Sequence, residues 1–347
     1  MPAPVGGPAA GRQPASGIAS LWEDSEVTDA TSTRDGPLAS IVVIAYNEAA
    51  RIVACLTALL AQAGGGPFEV IVVDDGSTDH TAAQVAQLAE SHPNLRLIQQ
   101  GSNRGRGASR RLGTELAGGE LVGFVDADIE VPSNWLATLR MALETVDGAS
   151  GVAVPDGDCA VVARVTGATV RPRPGTAEIT GNNVLLRRAV FDDVAFDAEH
   201  RLGEDFRFAK YLTSAGRQLR TIDTLEVHHH ETKTYLEGLR WMWQNGRDAT
   251  DLLFEFRLLR TPDVAAVAWS AGTALAALGL FGGRRRRRRS LAAWLLGSTA
   301  IGMAFGASRF ARQPRPRRFA AALVASVPMT TTYLAGRTWQ VVRRLTP

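Results

Sequence analysis

Three short clusters, each at the end of an apolar run, carry the residue types that hold a diphosphate through a divalent cation. Ile41-Val42-Val43-Ile44 runs into Ala45-Tyr46-Asn47-Glu48, residues 70–73 into Asp74-Asp75-Gly76-Ser77-Thr78-Asp79, and residues 121–125 into Asp126-Ala127-Asp128. Hard carboxylate oxygens suit magnesium or manganese, and a pocket this acidic admits a diphosphate only together with a cation. An alternating backbone beyond residue 125 sends the carboxylates of Asp126 and Asp128 to one side. Each cluster by itself reads as a strand terminator or helix cap. Three in succession point to one shared ligand.

Further candidates lie between and after these clusters. Asn103-Arg104-Gly105-Arg106-Gly107 is a basic, glycine-rich stretch opening a helical pattern, and it offers Arg106 and a helix N-terminus to phosphate. Arg110 and Arg111 read equally well as an exposed basic helix start. Gly203-Glu204-Asp205 brings two carboxylates to the head of another helical pattern, where one can serve as a general base. His228-His229-His230 closes a strand predicted over 220–227, each histidine being either a metal neighbour or a surface residue.

The elements that must position these groups alternate. Strand patterns near 41–44, 70–73, 95–99 and 121–125 are separated by helical patterns, two of them over 48–62 and 80–91. That order predicts an α/β fold, a mostly parallel sheet covered by helices. In such sheets the ligand crevice lies beyond the carboxyl ends of the strands, where all three clusters fall. A chain of 347 residues, 45% hydrophobic, holds one such core and an appendage. The two cysteines, Cys55 and Cys159, make neither a metal knuckle nor a disulfide framework, which fits cytosolic exposure.

The segments 43–48, 72–79 and 124–128, in this order and spacing, resemble the successive signatures of family 2 glycosyltransferases of the GT-A type. The resemblance covers about residues 38–247. It implies a mixed, mostly parallel, Rossmann-like sheet and a nucleotide-diphosphate sugar donor, a UDP- or GDP-sugar. It implies further that Ala45, Tyr46, Asn47, Glu48, Asp74, Asp75, Arg106 and Asp126 bind the donor nucleotide, with Asp75 on base or ribose. Asp126, Asp128 and His229 are then the expected neighbours of a divalent cation, Mn2+ or Mg2+. Gly181, Asn182 and Asn183 line the sugar and acceptor pocket. Asp205 is the general base of an inverting transfer, and Glu204 its companion on sugar or acceptor hydroxyls. Gln244-Asn245-Gly246-Arg247-Asp248 is similar to part of the Gln-x-x-Arg-Trp motif of processive polysaccharide synthases. Gln244 and Arg247 are thereby expected on the acceptor side, but Asp248 stands where that motif has tryptophan.

The expected domains are a disordered leader at 1–36, a catalytic domain at 37–260, and a basic, apolar, helical region at 261–347. That last region holds fourteen arginines against one acid, Asp263, a net +13, so the preceding 260 residues carry −10 of the chain's +3. Its basic runs alternate with apolar stretches rather than with aromatics and amides, which points to anionic membrane lipids and not to nucleic acid. Three apolar stretches, 264–281, 291–307 and 319–335, are each near the minimum for crossing a bilayer. A simple three-pass topology places Arg284–Arg289 on the wrong side, so attachment at the cytosolic face by interfacial or re-entrant helices is the expectation. A helical bundle packed on the catalytic domain is the soluble alternative. The expected reaction is sugar transfer from a nucleotide donor to a lipid-linked or glycan acceptor at the cell membrane. A polysaccharide synthase and an inactive nucleotide-binding scaffold are the competing readings.

Overall fold

The computed structural model describes residues 26–27, 36–155, 181–198, 203–230, 234–256, 261–310 and 319–345. Among the described residues a nine-stranded sheet forms the centre, in the order β1-β4-β3-β2-β5-β8-β7-β9-β6. Its middle is parallel: β2 (Ala39–Ala45) lies between β3 (Phe68–Asp74) and β5 (Leu121–Asp126), and β4 (Leu95–Gln99) flanks β3. β8 (Asn183–Arg187) runs antiparallel to β5 and to β7 (Gly148–Pro155). β9 (Leu219–His229) pairs in parallel with β7 and antiparallel with the two-residue β6 (Ile129–Glu130). The mixed, mostly parallel α/β fold is therefore present as expected.

All seven side chains of β2 are buried because helices cover both faces. Ile41 and Val43 join one core with Ile52 and Leu56 of α1 (Ile52–Leu60), Val85 of α2 (Thr81–Ala89) and Trp135 of α4 (Trp135–Ala142). Val42 and Ile44 face the opposite core, with Leu112 of α3 (Arg106–Leu116) and Phe208 and Leu212 of α5 (Glu204–Ser214). The period-two alternation of a strand thus feeds two apolar layers.

Three expectations about elements need correction. The helix predicted from residue 48 starts at Ile52, because side chains of the next loop capture the backbone donors ahead of it. The Glu48 N–H donates to Thr81 Oγ1 at 2.8 Å and the Ala49 N–H to Asp79 Oδ2 at 3.1 Å. Within the expected disordered leader, Glu26–Val27 forms β1, antiparallel to Gln99 and Ile98. β4 would otherwise be a sheet edge with unpaired backbone groups; the rest of the leader lies outside the described residues. Finally, the apolar stretch at 319–335 belongs to α9 (Phe319–Leu345), whose described side chains pack against α6 (Tyr235–Phe256). Met329, Tyr333 and Leu334 share a core with Met242 and Ala249. Only Arg284–Ala307, within α8 (Arg284–Phe310), is long and apolar enough to cross a bilayer among the described residues. Val264–Leu280, within α7 (Thr261–Leu280), is apolar but shorter.

Candidate active site

Beyond the carboxyl ends of β2, β3 and β5 lies a cleft of about 350 Å³. Ala45, Tyr46 and Glu48 form one wall, Asp75 and Arg106 the next, Asp126 and Asp128 the floor, and Gln244 reaches in from α6. Eight of the expected site residues therefore line one space, brought there by three parallel strands that end together.

The loops of this cleft are cross-braced. Asn47 adopts a left-handed backbone (φ 57°), a conformation asparagine tolerates better than most residues. Its Oδ1 accepts from the Thr78 N–H at 2.8 Å, while its own N–H donates to Ser77 Oγ at 2.9 Å. The carboxylate of Asp75 accepts the backbone N–H of Arg104 at 2.7 Å and of Gly105 at 2.9 Å, which fixes the basic loop. Asp74, expected beside the nucleotide, is instead buried at the end of β3 and accepts from the Ser77 N–H at 3.3 Å. Burial raises its pKa, against the pull of the Ser77 hydrogen bonds. Asn47 and Asp74 build the loops, and Tyr46, Glu48 and Asp75 face the space between them.

The DxD segment reaches its geometry by a different route from strand alternation. Asp126 is the last residue of β5, while Ala127 and Asp128 form a turn before β6. The pairing of Ile129 with His229 across β6 and β9 brings His229 Nε2 to 3.1 Å from Asp128 Oδ2. His230 pairs instead with Glu130, and His228 is exposed. Of the three histidines, His229 is the one beside the acidic turn. No group of three or more His, Cys, Asp or Glu among the described residues is close enough to hold a metal alone. Two carboxylates and an imidazole therefore stand together here without making a freestanding metal site.

Arg110, which the sequence reads equally well as an exposed helix start, is the buried hub of the site. It is 1% exposed. Its Nη2 donates to Asp126 Oδ1 at 2.8 Å and to the Gly181 carbonyl at 3.1 Å, and its Nη1 pairs with Glu204. Burial opposes its charge, but Asp126, Glu204 and Asp205 outweigh that and raise its pKa. Burial likewise pushes Glu204 up, with the Arg110 charge opposing. Glu204 is thus neither a solvated cap nor available to acceptor hydroxyls, and the expectation that it contacts them is corrected. The available signal was the spacing: Arg106 and Arg110 are four apart on α3 and share one face. Arg106 reaches the cleft, where the same carboxylates outweigh the cost of its burial and hold its pKa above the ordinary guanidinium value.

Asp205 sits at the first turn of α5, against Gly181. A Cβ on Gly181 would lie 2.7 Å from Asp205 Cβ and 3.2 Å from Arg110 Cζ, so only glycine fits. The Gly181 N–H donates to Asp205 Oδ2 at 3.4 Å, and the Asn182 carbonyl accepts from the Asp126 N–H at 3.1 Å. Gly181, Asn182, Asp205 and Asp126 therefore meet. Asn183 does not reach this space: it is fully buried in β8, its Oδ1 accepting from the Gly151 N–H at 2.7 Å. Arg247 is also displaced, donating to Gln340 of α9 at 3.4 Å, while Gln244 lines the cleft. These two expected acceptor contacts are corrected accordingly.

Residues 40–194 match the family model described as glycosyl transferase family 2. By that match this region is similar to family 2 glycosyltransferases, and the chain is a glycosyltransferase. Glycosyltransferase AglE of Haloferax volcanii is 28% identical over 221 residues, 61% of this chain and 72% of that one. Dolichyl-phosphate beta-glucosyltransferase ALG5C of Trichomonas vaginalis is 43% identical over 96 residues, 26% of this transferase and 28% of that one. The mannosyltransferase PcManGT from Pyrobaculum calidifontis, solved in complex with GDP-Man and Mn2+, covers 93% of this transferase and 92% of its own chain, with a TM-score of 0.57 at 22% identity. That likeness shows the GT-A fold.

Proposed function

We propose that this transferase moves a sugar, with inversion, from a nucleotide-diphosphate donor to a hydroxyl of a lipid-linked or membrane-proximal acceptor. The observation that carries the proposal is the single cleft that holds Tyr46, Glu48, Asp75, Arg106, Asp126 and Asp128 at the ends of three parallel strands, with Asp205 held against Gly181 beside Asp126.

In this reading the nucleoside lies against Tyr46 and Glu48, with Asp75 on the base or ribose. The diphosphate lies toward Arg106 and the N-terminus of α3, whose partial positive charge favours it. A divalent cation, when bound, neutralises charge on the leaving diphosphate, and Asp126, Asp128 and His229 would hold it. Asp205 takes the proton from an acceptor hydroxyl as that oxygen attacks the anomeric carbon opposite the leaving group. Arg110 and Glu204 position Asp126 and Asp205 rather than touching substrate. The relative named for a dolichyl-phosphate substrate, together with the exposed apolar residues of α7 and α8, supports a lipid acceptor and attachment to the membrane, which this reading puts at the cytosolic face. The separation of Arg247 from Gln244 weighs against a processive synthase.

The test is a donor panel of UDP-, GDP- and dTDP-sugars with purified protein, with Mn2+ or Mg2+ and with chelator, scored by free nucleotide. One donor is expected to be turned over, chelator to abolish turnover, and Asp205→Asn to lower transfer by about 10²–10⁴-fold. Wild-type turnover by both Asp205→Asn and Asp128→Ala would sink the assignment.

A further inference from the structure

We propose that the groove between α7 and α8 binds one hydrocarbon chain of an anionic membrane lipid, whose phosphate rests on the arginines at the turn of this helical hairpin. The groove encloses about 280 Å³ and is lined by Trp269, Gly272 and Leu275 of α7 and by Trp294, Gly297 and Ile301 of α8. It is just below the roughly 300–1,000 Å³ of typical ligand pockets, and its apolar lining suits a single hydrocarbon chain rather than a sugar or a headgroup.

Its shape is built in. Both indole N–H groups are consumed internally: Trp269 donates to Ser298 Oγ at 3.1 Å and Trp294 to Thr273 Oγ1 at 2.9 Å. The rings therefore present apolar faces and no unsatisfied donor. Gly272 and Gly297 supply the width, since a Cβ at either would meet nothing within 4 Å. At its turn end Ser290, packed against Gly279, still lines the groove next to the arginines. Residues 268–276 and 290–301 lie along it, a length of about 12–16 Å at the helical rise.

The surroundings decide the occupant. No charged residue occurs in 264–281 or in 290–308, yet Leu275, Leu278 and Leu296 are more than 60% exposed and Phe281 is 88% exposed. Immediately before Ser290 come six exposed arginines, Arg284–Arg289. Arg286 and Arg287, four and three residues before Ser290, lie on the groove's face of α8, and the Arg287 Nε donates to the Gly282 carbonyl at 3.1 Å, holding it at the turn. A cationic mouth on an apolar slot complements a phosphate carrying a hydrocarbon chain. Filling the slot also covers apolar surface that the fold leaves bare.

The inference rests on the membrane-facing reading of the hairpin and not on the chemistry of the cleft. The test uses the full chain and vesicles containing phosphatidylglycerol with a photoactivatable acyl chain, with cross-linked positions mapped by mass spectrometry. Cross-links are expected on the faces bearing Trp269, Leu275 and Trp294. Gly272→Leu/Gly297→Leu should lower their yield about tenfold, the factor for losing burial of about two methylenes, with vesicle flotation and thermal unfolding unchanged. A phosphatidylcholine probe of equal chain length, or Arg286→Gln/Arg287→Gln, should lower the yield as well. Equal labelling of the filled variant and the wild type would overturn the proposal in favour of general immersion in lipid. A detergent-solubilised dimer that Gly297→Leu dissolves would overturn it in favour of a second copy of the chain. Failure to float on any vesicle would remove the membrane reading beneath it. Donor turnover, measured on the same samples, reports on the cleft independently.

Discussion

Helices α8 and α9 are each 27 residues long, and by hydropathy each contains a marginal membrane segment, yet the fold treats them in opposite ways. On α9, Ser326, Thr330, Tyr333, Arg337 and Gln340 recur every three or four residues and are buried on one face with Met329 and Leu334. That face meets α6. Gln340 donates to both oxygens of Asp251 at 3.0 Å, Arg344 adds a contact to Asp251 at 2.7 Å, and Thr250 Oγ1 donates to the Arg337 carbonyl at 3.4 Å. Close approach depends on glycine from each side: a Cβ on Gly246 would lie 2.1 Å from the Tyr333 carbonyl oxygen, and one on Gly336 would lie 2.3 Å from that of Trp243. α8 has no such polar stripe between its arginines and Ser298, and its leucines stay exposed. Mean apolarity does not separate a docking helix from a membrane-facing one. The periodicity of the polar residues does, because buried polar groups need partners that only a neighbouring helix supplies.

The largest expected effect lies on the α8 side. Replacing Arg284–Arg289 with glutamine should weaken binding to anionic vesicles by roughly 6 kcal/mol, or roughly 10⁴-fold, at about 1 kcal/mol per arginine. Flotation measures this, and thermal unfolding should not move. If stability fell instead, the arginines would be structural and the contrast with α9 would fail. The α9 side should answer in reverse. Gly246→Leu drives a side chain into the α9 backbone and should cost about 1–3 kcal/mol of stability, visible in denaturant unfolding, with little change in vesicle binding. Asp251→Ala removes the partner of Gln340 and Arg344 and should cost about 1–2 kcal/mol in the same assay. An unchanged midpoint would mean that the two helices are held by apolar contacts alone.

The smallest expected effect asks whether buried charge in the cleft obeys the same need for partners. Burial raises the folded-state pKa of Glu204 above its unfolded value of about 4.3, so the folded state holds that proton more tightly. The associated stability is present below the unfolded pKa and lost as pH rises through the folded one. Thermal unfolding over this range should show the wild type losing stability relative to Glu204→Gln as pH rises. The opposite slope would mean that attraction to Arg110 outweighs burial.

Much of the cleft is legible in the residues. Apolar runs ending in Asp75, Asp126 and Asp128 predict strands whose carboxyl ends share a crevice, because parallel strands that begin level also end level. Which residue of each cluster faces that crevice is not legible. Asp74 and Asp75 differ by one position, and strand alternation with loop capture turns the first into the core and the second onto the wall. Asn182 and Asn183 divide in the same way across the start of β8. Arg110 was missed because a buried arginine looks like a surface one until its partners, 16 and 94 residues away, are in place.

By itself, then, the sequence determined the α/β class, the order of the elements, the acidic character of the cleft and the charge asymmetry of the tail. These follow from local periodicity and composition, which need no knowledge of distant neighbours. Only the tertiary structure decided that His229 and not His228 or His230 faces Asp128, that Glu204 is locked to Arg110, and that α9 is docked on α6 while the leucines of α7 and α8 stay exposed. Each of those depends on a register or a packing choice between segments far apart in the chain, where the energy of a contact exists only once both partners are in place.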